Sequence, residues 1–241
     1  MAVQAKATDT LVSSDVVGYT QTDVPYKTTL IAPTFNNVTE KTLLLADMKP
    51  SRTSGDDIAS GDIQMQTLDE DGATEDMIVY MTEEDVGKGN AGWYYDDGET
   101  PYAKEFDFGE GIVISSEYDD VKMTCAGAVD SSSTTIPVPY KTTVLGNTRP
   151  APLSLANIVP ARTSGDDIAS GDIQMQTLDE DGATEDMIVY MTEEDVGKGN
   201  AGWYYDDGET PYVKTLAIGE AIVISSEYDD AYLTIPAIVT E

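Results

Sequence analysis

Residues 52–102 recur without a single change at 162–212, from Arg52-Thr-Ser-Gly-Asp-Asp57 through Thr100-Pro-Tyr102. A chain of 241 residues that spends so much of itself on one duplicated block must fold as two copies of one unit, each of about 110 residues. The flanks extend the match. Val24-Pro-Tyr-Lys-Thr-Thr29 answers Val138-Pro-Tyr-Lys-Thr-Thr143 at an offset of 114, and Leu45-Ala-Asp-Met48 answers Leu155-Ala-Asn-Ile158 at an offset of 110. The second copy is therefore expected to lack four residues of a loop between Gly146 and Leu155. Downstream, Ile112 to Asp120 recurs at Ile222 to Asp230.

Differences between the copies report burial. Phe106 and Phe108 stand where the second copy has Leu216 and Ile218, and apolar character is kept at every second residue, the period of a strand. Met123 and Cys125 answer Leu233 and Ile235 around a constant threonine, which makes Cys125 a small core hydrophobe. Met77-Ile-Val-Tyr-Met81 reads as a central strand, and turns are expected at Asp71-Gly72, Gly87-Lys-Gly-Asn90 and Asp97-Gly98. Thr39 to Met48 is expected to form one or two helical turns capped by Thr39. Seven or eight short strands per copy predict an all-β chain of two tandem antiparallel β-sandwich domains, at 18–129 and 136–241. Residues 1–17 form an extension and 130–135 a linker.

The run Val16-Val-Gly-Tyr19, Val24-Pro-Tyr26, Leu45-Ala-Asp47, Gly61-Asp-Ile63, Gly92-Trp93, Gly109-Glu-Gly-Ile-Val-Ile-Ser115 and Gly127-Ala-Val129 resembles uncharacterised secreted β-domain proteins of verrucomicrobial and lentisphaeral bacteria. The likeness spans nearly all of the first copy and most of the second, which departs from it at Thr134-Thr-Ile-Pro137 and at Ile235-Pro236. It implies a β fold and an exported setting, and no activity. Ala5-Lys-Ala7 fits the end of a trimmed leader, although no apolar stretch precedes it.

Charge and composition then bound the chemistry. Thirteen Lys and Arg against 45 Asp and Glu give a net charge of −32, which opposes binding to nucleic acid and to anionic membranes. There is no His, which removes His-based acid–base work and His-containing zinc sites, and one Cys excludes an internal disulfide. Each identical block carries 14 acids and 2 bases, so most of the charge repeats with the domain. The acids crowd polar turns, with none marked as desolvated, and the expectation is that the protein is not an enzyme.

The acidic turn holding Asp69, Asp71 and Glu75, with its copy at Asp179, Asp181 and Glu185, has the oxygen density for a weak Ca²⁺ site but not the spacing of an EF-hand. No cofactor is required. Trp93 and Tyr95, with Trp203 and Tyr205, have the chemistry of a sugar platform, against which stands core packing of the indoles. Asn37-Val-Thr39 is a glycosylation sequon and the Ser/Thr-rich linker a second acceptor region. Lys27 and Lys141 are kept in otherwise diverging flanks, either packing their stems on Tyr26 and Tyr140 or entering Lys–Asn cross-links.

A contact between copies that repeats head-to-tail between chains builds a filament. The expected function is thus a structural subunit of an extracellular or cell-surface fibre or layer, with the chain as its own partner. The opening segment, through Leu11, Val12, Val16 and Val17, is the expected donor of a strand to a neighbour. The alternative is a secreted tandem carbohydrate-binding protein whose partners are glycans.

Overall fold

A computed structural model describes residues 17–33, 43–69, 71–107, 109–128, 133–149, 151–179 and 181–237. Leu11, Val12, Val16, Asn37 and Phe108 fall outside these residues, as do residues 130–132 of the linker, whereas Thr134 and Thr135 at its end already belong to a strand. The chain is nearly all β, 49% strand and 7% helix, and its four larger sheets form a propeller-like ring of four blades.

The first copy runs β1 (Val17–Val24), β2 (Lys27–Ile31), β3 (Leu43–Leu44), β4 (Lys49–Arg52), β5 (Ile63–Leu68), β6 (Thr74–Met81), β7 (Gly92–Tyr95), β8 (Glu105–Phe106), β9 (Ile112–Ser116) and β10 (Val121–Ala128). The second repeats the order as β11 (Thr134–Val138), β12 (Lys141–Gly146), β13 (Leu153–Ser154), β14 (Val159–Arg162), β15 (Ile173–Leu178), β16 (Thr184–Met191), β17 (Gly202–Tyr205), β18 (Thr215–Leu216), β19 (Ala221–Ser226) and β20 (Ala231–Ile235). In each copy a three-stranded sheet (β1-β10-β4 or β11-β20-β14) shares one buried cluster with a five-stranded one (β2-β9-β5-β6-β7 or β12-β19-β15-β16-β17), and all pairings are antiparallel.

Alternation along the strands places the core. Val24, Val121, Met123 and Cys125 from the three-stranded sheet meet Ile63, Met65, Ile78 and Ile114 from the five-stranded one. The second copy builds the same core from Val138, Leu233 and Ile235 against Ile173, Met175, Ile188 and Ile224. Cys125 is buried there, in the place Ile235 takes in the other copy. Phe106 and Leu216 point inward as their alternation requires, but Ile218 lies beyond β18 and is exposed.

Two expectations are corrected. Within Thr39 to Met48 the described residues form a two-residue strand and one 3₁₀ turn, Leu45–Asp47, because Leu43 and Leu44 pair with Phe106 and Glu105. Sheet pairing of a β-competent Leu pair here overrides helical periodicity. The run Met77 to Met81 lies in an interior strand, yet only Ile78 within it is buried, and Met77 faces solvent. The four-residue deletion falls in the connection between β12 and β13, outside any paired strand.

Candidate functional site

A third buried cluster joins the two copies. Ile112-Val113-Ile114 is buried along its whole length because β9 is covered on both sides. Ile112 and Ile114 point to their own core, whereas Val113 points away into a third cluster with Leu30, Ala32, Val144, Ala221 and Val223. A strand buried on both faces needs continuous apolar sequence, and Gly111-Ile-Val-Ile114 supplies it.

The contact is reciprocal. Ile31 bridges Glu220, and the equivalent Leu145 bridges Glu110. The Ala32 amide donates to the Gly219 carbonyl at 2.8 Å, and the Gly146 amide to the Gly109 carbonyl at 2.7 Å. Lys27 Nζ donates to Asp181 Oδ1 at 2.8 Å, while Lys141 Nζ donates to Asp71 Oδ1 at 2.7 Å. Equivalent residues thus exchange partners about a pseudo-twofold axis. Both lysines sit at φ 69°, the sole non-glycine residues with positive φ among the described residues. They stand just where the chain leaves the three-stranded sheet for the five-stranded one. A non-glycine residue in this region is strained by about 1–3 kcal/mol, a cost that the surrounding contacts must offset.

A cavity of about 330 Å³ lies on this axis, lined by Thr28, Gln66, Asp71 and Thr74 and by their counterparts Thr142, Gln176, Asp181 and Thr184. Its groups are largely engaged: Thr74 and Thr184 donate to Gln66 and Gln176 at 3.1 and 3.2 Å, and both aspartates hold lysines.

The acidic turns are therefore part of the joint. Asp69 Oδ1 accepts the amides of Asp71 and Ala73 at 2.9 Å, closing the turn on itself, and Asp179 does the same for Asp181 and Ala183. Asp71 and Asp181 go to the lysines, and Glu75 and Glu185 are exposed on β6 and β16. Among the described residues no group of three or more acids converges as a metal cluster. Lys27 and Lys141 thereby acquire carboxylate partners in the other copy.

The sugar platform is not formed by the indoles. Trp93 and Trp203 are only 4% and 3% exposed. Their Nε1–H groups donate to the Met48 and Ile158 carbonyls at 3.0 and 2.9 Å, and Tyr80 and Tyr190 pack edge-on against the rings. An indole carries a large apolar area and one donor, and burial against a backbone carbonyl satisfies both. Tyr95 and Tyr205 are half-buried against Tyr102 and Tyr212.

Shifted titrations belong to structural joints. The Arg52 guanidinium at 2.8 Å, assisted by the Ser54 amide, brings Asp120 down to about 2, and Arg162 with Ser164 does so for Asp230. Asp97 and Asp207 are lowered by the turn amides of Thr100 and Glu99 and of Thr210 and Glu209. Burial first, then Asp76, raises Tyr102 to about 12, and burial with Asp186 raises Tyr212 likewise, so both phenols stay protonated.

Sequence reasoning did not find the face between the copies. Its signals were the constancy of Lys27 and Lys141 and the unbroken apolar run at Ile112 to Ile114, which one core alone does not require. Comparison of the chain with protein-family models, with curated proteins and with solved structures finds no match.

Proposed function

We propose that this chain is a structural subunit of an extracellular fibre or surface layer, associating with further copies of itself by strand addition. We read each copy as a small antiparallel sandwich, and the two as one block. The observation that carries the proposal is the reciprocal lock between the copies. It takes up Lys27, Lys141, Asp71 and Asp181 and the outer faces of β9 and β19, joining the two copies into one block.

The lock also changes how a fibre must grow. A pseudo-twofold contact is closed, so repeating it between chains gives pairs and not a head-to-tail series. Growth therefore belongs to another surface, and the donor segment 1–17 remains the proposed source. Of its four apolar residues, Val17 opens β1 and the others lie outside the described residues. The carbohydrate reading loses its strongest element with the burial of Trp93 and Trp203.

Sedimentation and negative-stain imaging of the full chain and of a chain lacking residues 1–17 test the proposal. Polymers from the full chain and soluble two-copy units from the shortened one support it. A full chain that stays monomeric at high concentration and moderate salt overturns it.

A further inference from the structure

The outer faces of the two three-stranded sheets differ, although the cores beneath them match. In β20 of the second copy Ala231, Leu233 and Ile235 are buried, so Tyr232 and Thr234 point outward, flanked by Pro137 and Thr135 on β11 and by Ala161 and Val159 on β14. No member of this six-residue grid is charged, on a chain of net charge −32. The first copy fills the same positions with Asp23, Lys122 and Ser51 and with Gln21, Thr124 and Lys49. There the face satisfies itself: Lys122 holds Asp23, and Gln21 Nε2 donates to Thr124 Oγ1 at 3.3 Å. In the second copy the hydroxyls of Thr135, Tyr232 and Thr234 and the carboxylate of Asp229 have no hydrogen-bond partner among the described residues. All four groups line one hollow of about 640 Å³, closed on one side by Arg162, which Asp230 holds at 2.8 Å.

We propose that this hollow binds a neutral saccharide, one per chain, on the second copy alone. The Tyr232 ring, with Pro137 opposite it on the neighbouring strand, offers an apolar surface to the C–H face of a pyranose. The three hydroxyls and Asp229 offer donors and acceptors to the hydroxyls at the sugar's rim. Other ligand classes fit less well. An anion meets Asp229, Asp230 and the charge of the whole chain. A bare cation finds one free carboxylate, because Asp230 is taken by Arg162. A purely apolar partner would desolvate the hydroxyls and leave them unpaired. In the first copy Lys122 and Asp23 stand where the ring and the proline would be, which removes the platform there. The site is distinct from the buried indoles of Trp93 and Trp203, and it does not depend on how the chain assembles.

The test is an array of neutral gluco-, manno-, galacto- and xylo-oligosaccharides beside polygalacturonate, followed by calorimetry of the full chain with the neutral oligosaccharide that gives the strongest signal. One site per chain is expected. Pro137→Asp with Tyr232→Lys transplants the pair that the first copy holds in the same places as Asp23 and Lys122. The transplant is expected to weaken binding about tenfold or more, since the ring is lost and the face becomes charged. Tyr232→Phe keeps the ring and is expected to lose less. Amide shifts of the unaltered chain decide the matter even if the transplant folds poorly: the oligosaccharide should move Thr135, Tyr232 and Thr234 and leave Gln21, Lys122 and Thr124 in place. An array on which no neutral oligosaccharide binds, or on which polygalacturonate binds better, overturns the proposal. So does binding that the transplant leaves intact, or that leaves the amides of Tyr232 and Thr234 unmoved. None of these outcomes bears on whether the chain forms fibres, which sedimentation reads separately.

Discussion

Ala32 and Gly146 occupy equivalent positions in the two copies and lie against each other across the pseudo-twofold axis, so that a Cβ added to Gly146 would stand 2.1 Å from the Cβ of Ala32. Gly111 and Ala221 repeat the arrangement, with a Cβ on Gly111 falling 2.8 Å from that of Ala221. Where the axis brings a position onto itself, one copy holds alanine and the other glycine. Two copies with alanine at both positions would collide there.

Gly146→Ala is therefore expected to destabilise the protein by about 1–3 kcal/mol, the range for overpacking a filled interior. Adding Ala32→Gly should recover most of the loss, because the methyl group has only changed sides. Urea unfolding of the two single variants and the double measures this. A double variant no better than Gly146→Ala would show that the two positions do not share one space.

Lys27 pairs with Asp181 while holding a backbone conformation that glycine adopts without strain. Both side chains are partly exposed, so the coupling in a double-mutant cycle is expected to be below about 1 kcal/mol and to fade in high salt. Lys27→Gly should cost less than Lys27→Ala, since only the former relieves the strain at φ 69°. Equal losses would indicate that the surrounding strands, and not the lysine, set the angle.

Acid should act in two stages. Protonation of the excess carboxylates first relieves repulsion, so the melting temperature is expected to rise as pH falls from 7 toward about 4. Asp120 and Asp230 are depressed in the folded state to about 2. Their contribution is complete above the ordinary carboxylate value of 3.8 and disappears as pH falls through their folded values, so stability should drop between 3.8 and about 2. Circular-dichroism melts across this range check both limbs. Arg52→Ala together with Arg162→Ala should lower stability at neutral pH, where the contribution is complete, and flatten the acid limb.

Trp93→Ala should cost about 3–5 kcal/mol, as expected for deletion of a buried aromatic side chain, and Trp203→Ala a similar amount. Thermal melts give the loss. Glycan-array binding by the unaltered protein that disappears in a milder Trp93→Phe variant of unchanged stability would restore the indoles to a recognition role.

The duplicated strands and turns were legible because alternation and Gly-Asn-Asp chemistry are local properties, as at Met123-Thr-Cys125 and Asp97-Gly98. Comparison of copies placed Cys125 in the core for the same reason, since Ile235 reports its surroundings. The 3₁₀ turn at Leu45–Asp47 was misread because Leu43 and Leu44 take their conformation from a partner strand more than 60 positions away. The acidic turns were seen as isolated charge. Their partners Lys141 and Lys27 lie 70 and 154 positions distant, and only the docking of the copies unites them.

The chain enters and leaves each copy at paired residues, Val17 opposite Ala128 in the first and Thr134 opposite Ile235 in the second. Tension applied along the polypeptide would thus pull each terminal pair apart crosswise, loading the hydrogen bonds singly and in sequence rather than in parallel. Each copy would open like a zipper at low force. An assembly that has to bear load must carry it through the flanks of these blocks, with the backbone joining them left slack.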